Sequence, residues 1–179
     1  FEIEKGYNIV TASTLVSVSS VCGIVGTVFS GLISDKMFRS NRTIPACLSS
    51  LLNLAALALF LFGPRQCEIL DIISMILFGI SIGILLCFLG GLMAIDIAPK
   101  EATGAAVGVI GIASYAAAGL QDVVSGFLIE SRKAIVDGNP VYDFSAIRIF
   151  WLSAALVSLL SLLIIWGARK KHVSSNIHY

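Results

Sequence analysis

The sequence predicts an all-α protein, a polytopic transmembrane bundle with five membrane-spanning helices. Of its 179 residues, 57% are hydrophobic and only 13% are charged, whereas a soluble domain usually carries about a quarter charged residues. Five long apolar stretches are separated by short charged connectors, at 11–34, 43–63, 70–95, 104–129 and 149–167. Each is close to the ~20 residues that a helix needs to cross a bilayer. An integral membrane protein is therefore expected, not a soluble enzyme.

The second and last spans are the most lipid-like. The last carries Trp151 and Trp166 near its two ends, a separation of about 22 Å at ~1.5 Å per helical residue. Such spacing is typical of two interfacial anchors on a lipid-facing helix. In the second span the lone strongly polar residue is Asn53. We expect Asn53 to bond to a neighbouring helix rather than to a substrate.

The third and fourth spans are rich in glycine, which lets helix backbones approach closely in lipid. In the fourth span, small and polar residues recur every three or four positions and form one narrow stripe, which includes Tyr115 and Asp122. These spans therefore belong to the interior of the bundle. The glycines predicted to pack between helices are Gly79, Gly83, Gly104, Gly108, Gly111 and Gly119.

Asp122 is the leading candidate for a functional residue, because no other ionisable residue lies well within a predicted span. An unpaired carboxylate there costs a few kcal/mol. Two interpretations stay open: a role in a substrate pathway or gate, and simple solvation at the outer interface. Tyr115 and Gln121 are further pathway candidates, with interhelical hydrogen bonding as the alternative.

The charges predict the orientation and exclude several classes of function. Of the twelve Lys and Arg residues, seven fall on the side that includes the C-terminal tail and five on the other side. Positive residues favour the cytoplasm, so the C-terminus is placed inside and the N-terminus outside. The charges form no single basic face, which argues against a nucleic-acid partner. The four cysteines are far apart and lack a nearby His, so neither a metal nor another cofactor is expected.

The connector after the first span carries a recognisable motif, Gly31-Leu-Ile-Ser-Asp35-Lys36-Met-Phe-Arg39-Ser-Asn-Arg42. It resembles the G-x-x-x-D-[RK]-x-G-x-[RK]-[RK] loop of the major facilitator superfamily, although Phe38 stands where that loop usually has Gly. The resemblance implies a cytoplasmic gate. Asp35 can pair there with a basic residue or a helix terminus.

A second motif lies between the third and fourth spans: Asp96-Ile-Ala-Pro-Lys-Glu-Ala-Thr-Gly104-Ala-Ala-Val-Gly108. It is similar to the segment between spans ten and eleven of the organophosphate:phosphate antiporters, with Asp96 in place of their usual Glu. On this resemblance the chain, residues 1–179, is the larger part of the C-terminal half of a transporter, and the N-terminal half of the same polypeptide is missing.

The resemblance implies exchange of a phosphorylated sugar or glycerol phosphate for inorganic phosphate by alternating access, in the bacterial inner membrane and in contact with lipid. It also implies that arginines on two spans absent from this chain hold the phosphate. No Lys or Arg lies inside the predicted spans here, so no phosphate-binding residue is assigned. The alternatives are a membrane sensor on the same scaffold, a major facilitator carrier for a different solute, and a helical scaffold without a translocation path.

Overall fold

The computed structural model describes residues 2–37, 42–136 and 139–175. A one-turn helix, α1 (Glu2–Lys5), leads into the long helix α2 (Ile9–Met37). Helices α3 (Thr43–Phe62) and α4 (Glu68–Cys87) follow, and α4 continues through a π-helical segment (Phe88–Leu92) into α5 (Met93–Ile97). A short 3-10 turn (Lys100–Ala102) precedes α6 (Thr103–Ser131). The chain closes with strands β1 (Lys133–Val136) and β2 (Asn139–Tyr142) and helix α7 (Ser145–Ser175).

The prediction of five membrane-spanning helices is confirmed. Within the described ranges, five helical stretches are long and apolar enough to cross a bilayer: Ile9–Leu32, Thr43–Phe62, Glu68–Asp96, Lys100–Ser131 and Ser145–Gly167. The third stretch is not one uniform α-helix. Near its end the Met93 N–H donates to the Phe88 carbonyl, five residues back, and two adjacent glycines, Gly90 and Gly91, lie inside this π-helical segment.

The tightest contact in the bundle joins α2 to α4. A methyl group added at Gly79 would collide with the carbonyl oxygen of Ser19, and one added at Gly83 would collide with that of Gly23. The Thr27 hydroxyl donates to the Gly83 carbonyl at 3.1 Å. Because apolar burial drives helix association weakly in lipid, such backbone proximity supplies much of the attraction. The α2–α4 pair is therefore the most closely packed pair of helices among the described residues.

Helix α3 lies between α4 and α7 and contacts both. On the α4 side, the Ser81 hydroxyl donates to the Asn53 side-chain oxygen at 3.3 Å. On the α7 side, Ala46, Phe88 and Leu162 form a buried apolar cluster. Asn53 thus bonds to a neighbouring helix, as its position in the second span predicts.

Helix α6 stands apart from the other spans. None of its most apolar 18-residue window is buried, whereas the corresponding windows of α3 and of the α4 stretch are 39% and 33% buried. Its best-defined side-chain contact is a hydrogen bond from the Trp151 indole nitrogen on α7 to the Ser125 hydroxyl, 3.1 Å long. One long face of α6 is left without a partner among the described residues.

The connector between α6 and α7 contains a β-hairpin. Strands β1 and β2 pair antiparallel, with Lys133 opposite Tyr142 and Val136 opposite Asn139. The Lys133 amino group lies 5.8 Å from the centre of the Tyr142 ring, and this cross-strand contact helps to stabilise the pairing of the two strands. The protein is thus helical apart from one small hairpin at a bundle end, within the part of the chain that the structure describes.

Candidate functional site

The two sequence motifs meet at one end of the bundle, through an ion pair between Arg42 and Asp96. Arg42 precedes α3 and Asp96 lies in α5, and the Arg42 Nε and the Asp96 carboxylate are 2.5 Å apart. The two side chains are 16% and 36% exposed, so water reaches the pair. We call this the Arg42 end. Each residue belongs to one of the two motifs, but neither motif predicts that they are partners.

The structure describes only some of the other predicted gate residues. Lys36 is exposed at the end of α2, and a methyl group added at Gly31 would meet no atom within 4 Å. The side chain of Asp35 is not among those that the structure describes, and Arg39 lies outside the described residues. The pairing expected for Asp35 therefore stays a prediction.

The predicted pathway residues on α6 point in two directions. Tyr115 is 83% exposed and Asp122 is also exposed, on the face of α6 that has no neighbour among the described residues. Gln121 instead faces a cavity of about 470 Å³ between the helices. No ion pair of Asp122 occurs within the described ranges. Of these three residues, the structure brings only Gln121 toward the bundle interior.

All five spanning helices contribute to the wall of that cavity. Its polar lining residues are Ser19 of α2, Asn53 of α3, Gln121 of α6 and Trp151 of α7, set among aliphatic and aromatic side chains such as Phe78 of α4. A volume of this size and a mostly apolar wall with a few polar groups are typical of small-molecule sites. Among the described residues the cavity carries no cation in its wall, so it does not by itself bind an oxyanion strongly.

The six glycines predicted to pack between helices divide into two groups. Gly79 and Gly83 are buried against the backbone of α2. The four on α6 have no atom within 4 Å of an added methyl group: Gly104, Gly108, Gly111 and Gly119. The glycine stripe of α6 is an open surface among the described residues. The helix contacts α7 through Ser125, which flanks the stripe.

A buried charged cluster that the sequence does not reveal lies at the opposite end, which we call the Lys5 end. The Lys5 amino group is 2.8 Å from one carboxylate oxygen of Asp71, and the Tyr7 hydroxyl donates to the other at 2.8 Å. Asp71 is fully buried and Lys5 is 4% exposed. We call Lys5, Tyr7 and Asp71 the buried triad.

Further contacts fix the buried triad in place. The Lys5 amino group also reaches the Gly63 carbonyl at 3.4 Å and lies 4.9 Å from the centre of the Phe60 ring. Burial, followed by the hydrogen bond to Asp71, raises the pKa of the Tyr7 phenol above its ordinary value. The phenol therefore remains a proton donor throughout the neutral range.

The buried triad is hard to recognise in the sequence. Asp71 lies near the start of the third predicted span, where a carboxylate usually reaches interfacial water, and Lys5 lies in a polar segment before the first span. One signal was present: a carboxylate four residues into a helix whose following residues are almost all apolar. A buried carboxylate requires a paired cation or several donors.

A second ion pair lies near the buried triad. Arg148, at the start of α7, donates from its Nε to the Glu4 carboxylate at 2.6 Å. Glu4, Lys5, Arg65 and Arg148 also line a small pocket of about 310 Å³. Hydrogen bonds and ion pairs therefore connect segment 2–7 to the end of α3 and to the starts of α4 and α7, so this segment covers the Lys5 end of the bundle.

The fold and the site define a class of protein, a helical integral membrane protein with a close-packed helix pair, a cavity between the helices and an ion pair at a connector. Residues 1–121 match the family model described as the Major Facilitator Superfamily. The chain belongs to this superfamily of non-enzymatic carriers, and the prediction from the two motifs is confirmed.

Three curated relatives illustrate the similarity. The chain is 29% identical over 157 residues to the glycerol-3-phosphate transporter of Bacillus subtilis (strain 168), across 84% of this chain and 32% of the relative. It is 32% identical over 120 residues to the membrane sensor protein UhpC of Escherichia coli (strain K12), across 64% of this chain and 26% of the relative. It is 25% identical over 173 residues to the probable galactarate/D-glucarate transporter GudP of the same Escherichia coli strain, across 93% of this chain and 35% of the relative.

The chain thus spans about a quarter to a third of the length of these relatives. No solved structure matches it significantly.

Proposed function

We propose that this chain is the larger part of the C-terminal half of an antiporter that exchanges a phosphorylated small molecule for inorganic phosphate by alternating access. Glycerol phosphate or a sugar phosphate is the expected organic substrate. The similarity to a glycerol-3-phosphate transporter over 84% of the chain supports this choice. The N-terminal half of the same polypeptide would supply the rest of the translocation path.

The observation that carries the proposal is the Arg42–Asp96 ion pair, since it joins the two motif-bearing connectors at one end. A partly exposed pair of this kind contributes only ~0–1 kcal/mol, so it can break and re-form without a large barrier. A gate that opens in every transport cycle needs a contact of this strength. The buried Lys5–Asp71 pair is the opposite case, because breaking it costs several kcal/mol.

The phosphate-binding cations are proposed to lie outside this chain. A phosphate ester near the middle of a bilayer needs positive charge or many oriented donors. The sequence has no Lys or Arg within the predicted spans, and the polar groups around the central cavity are neutral. Arginines on other spans of the complete polypeptide would supply that charge.

The open glycine face of α6 and the central cavity fit the same proposal. A helix with no buried residue in its apolar window has a face that a further transmembrane segment can cover. We propose that other spans of the polypeptide close this side, so that Tyr115, Gln121 and Asp122 face an interior path rather than lipid.

The proposed location is the bacterial inner membrane, with the Arg42 end in the cytoplasm and the Lys5 end outside. The excess of basic residues at the Arg42 end, including Arg169, Lys170 and Lys171 after the last span, supports this orientation.

Two alternatives are favoured by specific similarities. The match to a membrane sensor protein supports a receptor that binds its solute without transporting it. The match to a probable galactarate/D-glucarate transporter supports a carrier for a sugar acid instead of a sugar phosphate. Both named transported solutes are anions, so an anionic substrate is common to the two transport hypotheses.

The test is counterflow by the complete polypeptide in liposomes loaded with inorganic phosphate. Labelled glycerol 3-phosphate should enter only when phosphate is inside, and the 179-residue chain alone should show no uptake, which provides a matched control. Uptake of galactarate but not of glycerol phosphate would support the sugar-acid carrier. Binding of glycerol phosphate without any counterflow would support the sensor and contradict the antiporter.

A further inference from the structure

A shallow apolar groove runs between α3 and α7 at the Arg42 end. Four residues of α3 at positions i, i+3, i+4 and i+7 line it: Ile44, Cys47, Leu48 and Leu51. The groove has a volume of about 240 Å³, and every side chain that lines it is apolar. From Ile44 to Leu51 it extends about 10 Å into the membrane, at ~1.5 Å per helical residue.

Helix α7 provides the other wall. Leu159, Leu163 and Trp166 line the groove at positions i, i+4 and i+7 of that helix. Trp166 lies nearest the end of the span and is 41% exposed. Tryptophan at this depth is typical of the boundary between acyl chains and headgroups. The groove therefore begins at the headgroup level and continues into the hydrocarbon region.

The rim of the groove is exposed among the described residues. Cys47, which lines the groove, packs against the buried cluster of Ala46, Phe88 and Leu162, where α3, α7 and the π-helical segment meet. Leu48 and Leu51 are each 54% exposed on the rim. The groove is therefore open to the surroundings of the bundle among the described residues.

Basic residues follow the groove on the same helix. The backbone of α7 continues as helix to Ser175, beyond the apolar span that ends at Gly167. Position 170 is four residues after Trp166 and shares its helix face, and the sequence there is Arg169-Lys170-Lys171. One helical turn corresponds to about 5.4 Å. Three consecutive basic residues of the sequence thus occupy the helical turn directly after the apolar groove.

We infer that this groove is a binding site for an anionic phospholipid. One acyl chain occupies the space between α3 and α7, and the negatively charged headgroup lies beside the basic turn at positions 169–171. The charge complementarity selects an anionic over a zwitterionic lipid, since each Lys or Arg near a membrane surface adds to the attraction. The inference is independent of the transported solute.

The two tryptophans of the chain make the inference measurable. Trp166 lines the groove, whereas Trp151 bonds to Ser125 in the interior. The 179-residue chain carrying Trp151→Phe has Trp166 as its only tryptophan. It would be placed in nanodiscs with increasing fractions of phosphatidylglycerol brominated on its acyl chain, and in a parallel series with brominated phosphatidylcholine. Bromine quenches tryptophan fluorescence only at short range.

Brominated phosphatidylglycerol should quench Trp166 at a lower mole fraction than brominated phosphatidylcholine does. Lys170→Gln should raise the phosphatidylglycerol fraction needed about fivefold, from the typical attraction of one basic residue to an anionic surface. Lys100→Gln removes the same charge at the same end but outside the groove, and it should change little. Leu48→Phe, which fills the groove, should reduce quenching by both lipids.

Three results would overturn the inference. Equal quenching by the two lipids would mean that the groove has no preference for an anionic headgroup. An equal effect of Lys100→Gln and Lys170→Gln would reduce the preference to the general surface potential. No quenching of Trp166 by either lipid would mean that protein covers the groove. The reciprocal variant, Trp166→Phe with Trp151 retained, should show no difference between the two lipids.

Discussion

Replacing Lys5 by methionine should destabilise the protein far more than removing a surface charge does. In the wild-type chain the Lys5 amino group lies 2.8 Å from the fully buried Asp71 carboxylate. Methionine retains the apolar stem of Lys5 but leaves this carboxylate without its cation. Breaking a buried pair by removing one partner costs about 3–5 kcal/mol. Loss of the contact with the Phe60 ring adds up to about 1–2 kcal/mol. A loss near the upper end of the first range is expected.

Removing the whole polar cluster should restore much of that loss. In the triple variant Lys5→Met, Tyr7→Phe, Asp71→Leu, the charges and the hydroxyl of the buried triad are all gone. Replacement of a buried ion pair by apolar residues of similar volume is often neutral or stabilising. The triple variant should therefore be more stable than Lys5→Met alone.

The assay is equilibrium unfolding in mixed micelles with increasing dodecyl sulfate, followed by circular dichroism. Lys133→Met is the matched control, because the Lys133–Glu130 pair is 32% and 68% exposed and such surface pairs contribute ~0–1 kcal/mol. The reasoning is refuted if Lys5→Met costs no more than Lys133→Met. It is also refuted if the triple variant is no more stable than the single one.

Three further predictions concern packing and ionisation. Gly79→Ala should lower the free energy of unfolding of the 179-residue chain by about 1–3 kcal/mol, because the added methyl group overpacks against α2. Gly108→Ala adds the same group in open space on α6 and should leave the free energy of unfolding unchanged or raise it. Equal losses in the two variants would contradict the packing of Gly79 against α2. In an alkaline titration followed by ultraviolet absorbance, one of the four tyrosines should ionise above the ordinary pKa of ~10, and this ionisation step should be missing in Tyr7→Phe. Ionisation of all the tyrosines in a single step would be inconsistent with the hydrogen bond from Tyr7 to Asp71. The backbone N–H and then the hydroxyl of Ser145 donate to Asp143 and lower the pKa of its carboxyl group. The ionised Asp143 therefore stabilises the start of α7 above the ordinary pKa of an aspartate, and this stabilisation is lost as the pH falls through the lowered pKa. Asp143→Asn should lower the thermal midpoint at neutral pH and not in acid, and a difference that does not depend on pH would exclude the ionised carboxylate as the cause.

The helices were predictable because hydrophobic length alone decides which segments cross a bilayer. The five predicted ranges agree with the membrane-spanning stretches to within four residues at each end, while helix α7 continues eight residues beyond its predicted span. The π-helical segment at 88–92 was not predicted, because the apolar composition of this stretch is equally compatible with a continuous α-helix. The hairpin at 133–142 was not predicted, because each strand has only four residues and neither shows a regular alternation of polar and apolar residues.

The candidate site was only partly predictable. Arg42 and Asp96 were marked by separate motifs, yet their contact joins residues 54 positions apart, which no local pattern specifies. The buried triad was missed for the same reason, because Lys5 and Asp71 approach only when segment 2–7 folds over the ends of α3 and α4. The stripe on α6 was evident from its spacing, but its spacing does not specify whether it meets protein, lipid or an open path.

The most direct test of the proposed gate is the exchange rate of the complete polypeptide with the charges of Arg42 and Asp96 reversed. Phosphate exchange in liposomes would be measured for Arg42→Asp, for Asp96→Arg and for the two together. We expect each single reversal to slow exchange strongly, because two like charges then face each other at the Arg42 end. The double reversal should regain a substantial part of the rate. A double reversal no faster than either single one would contradict the account.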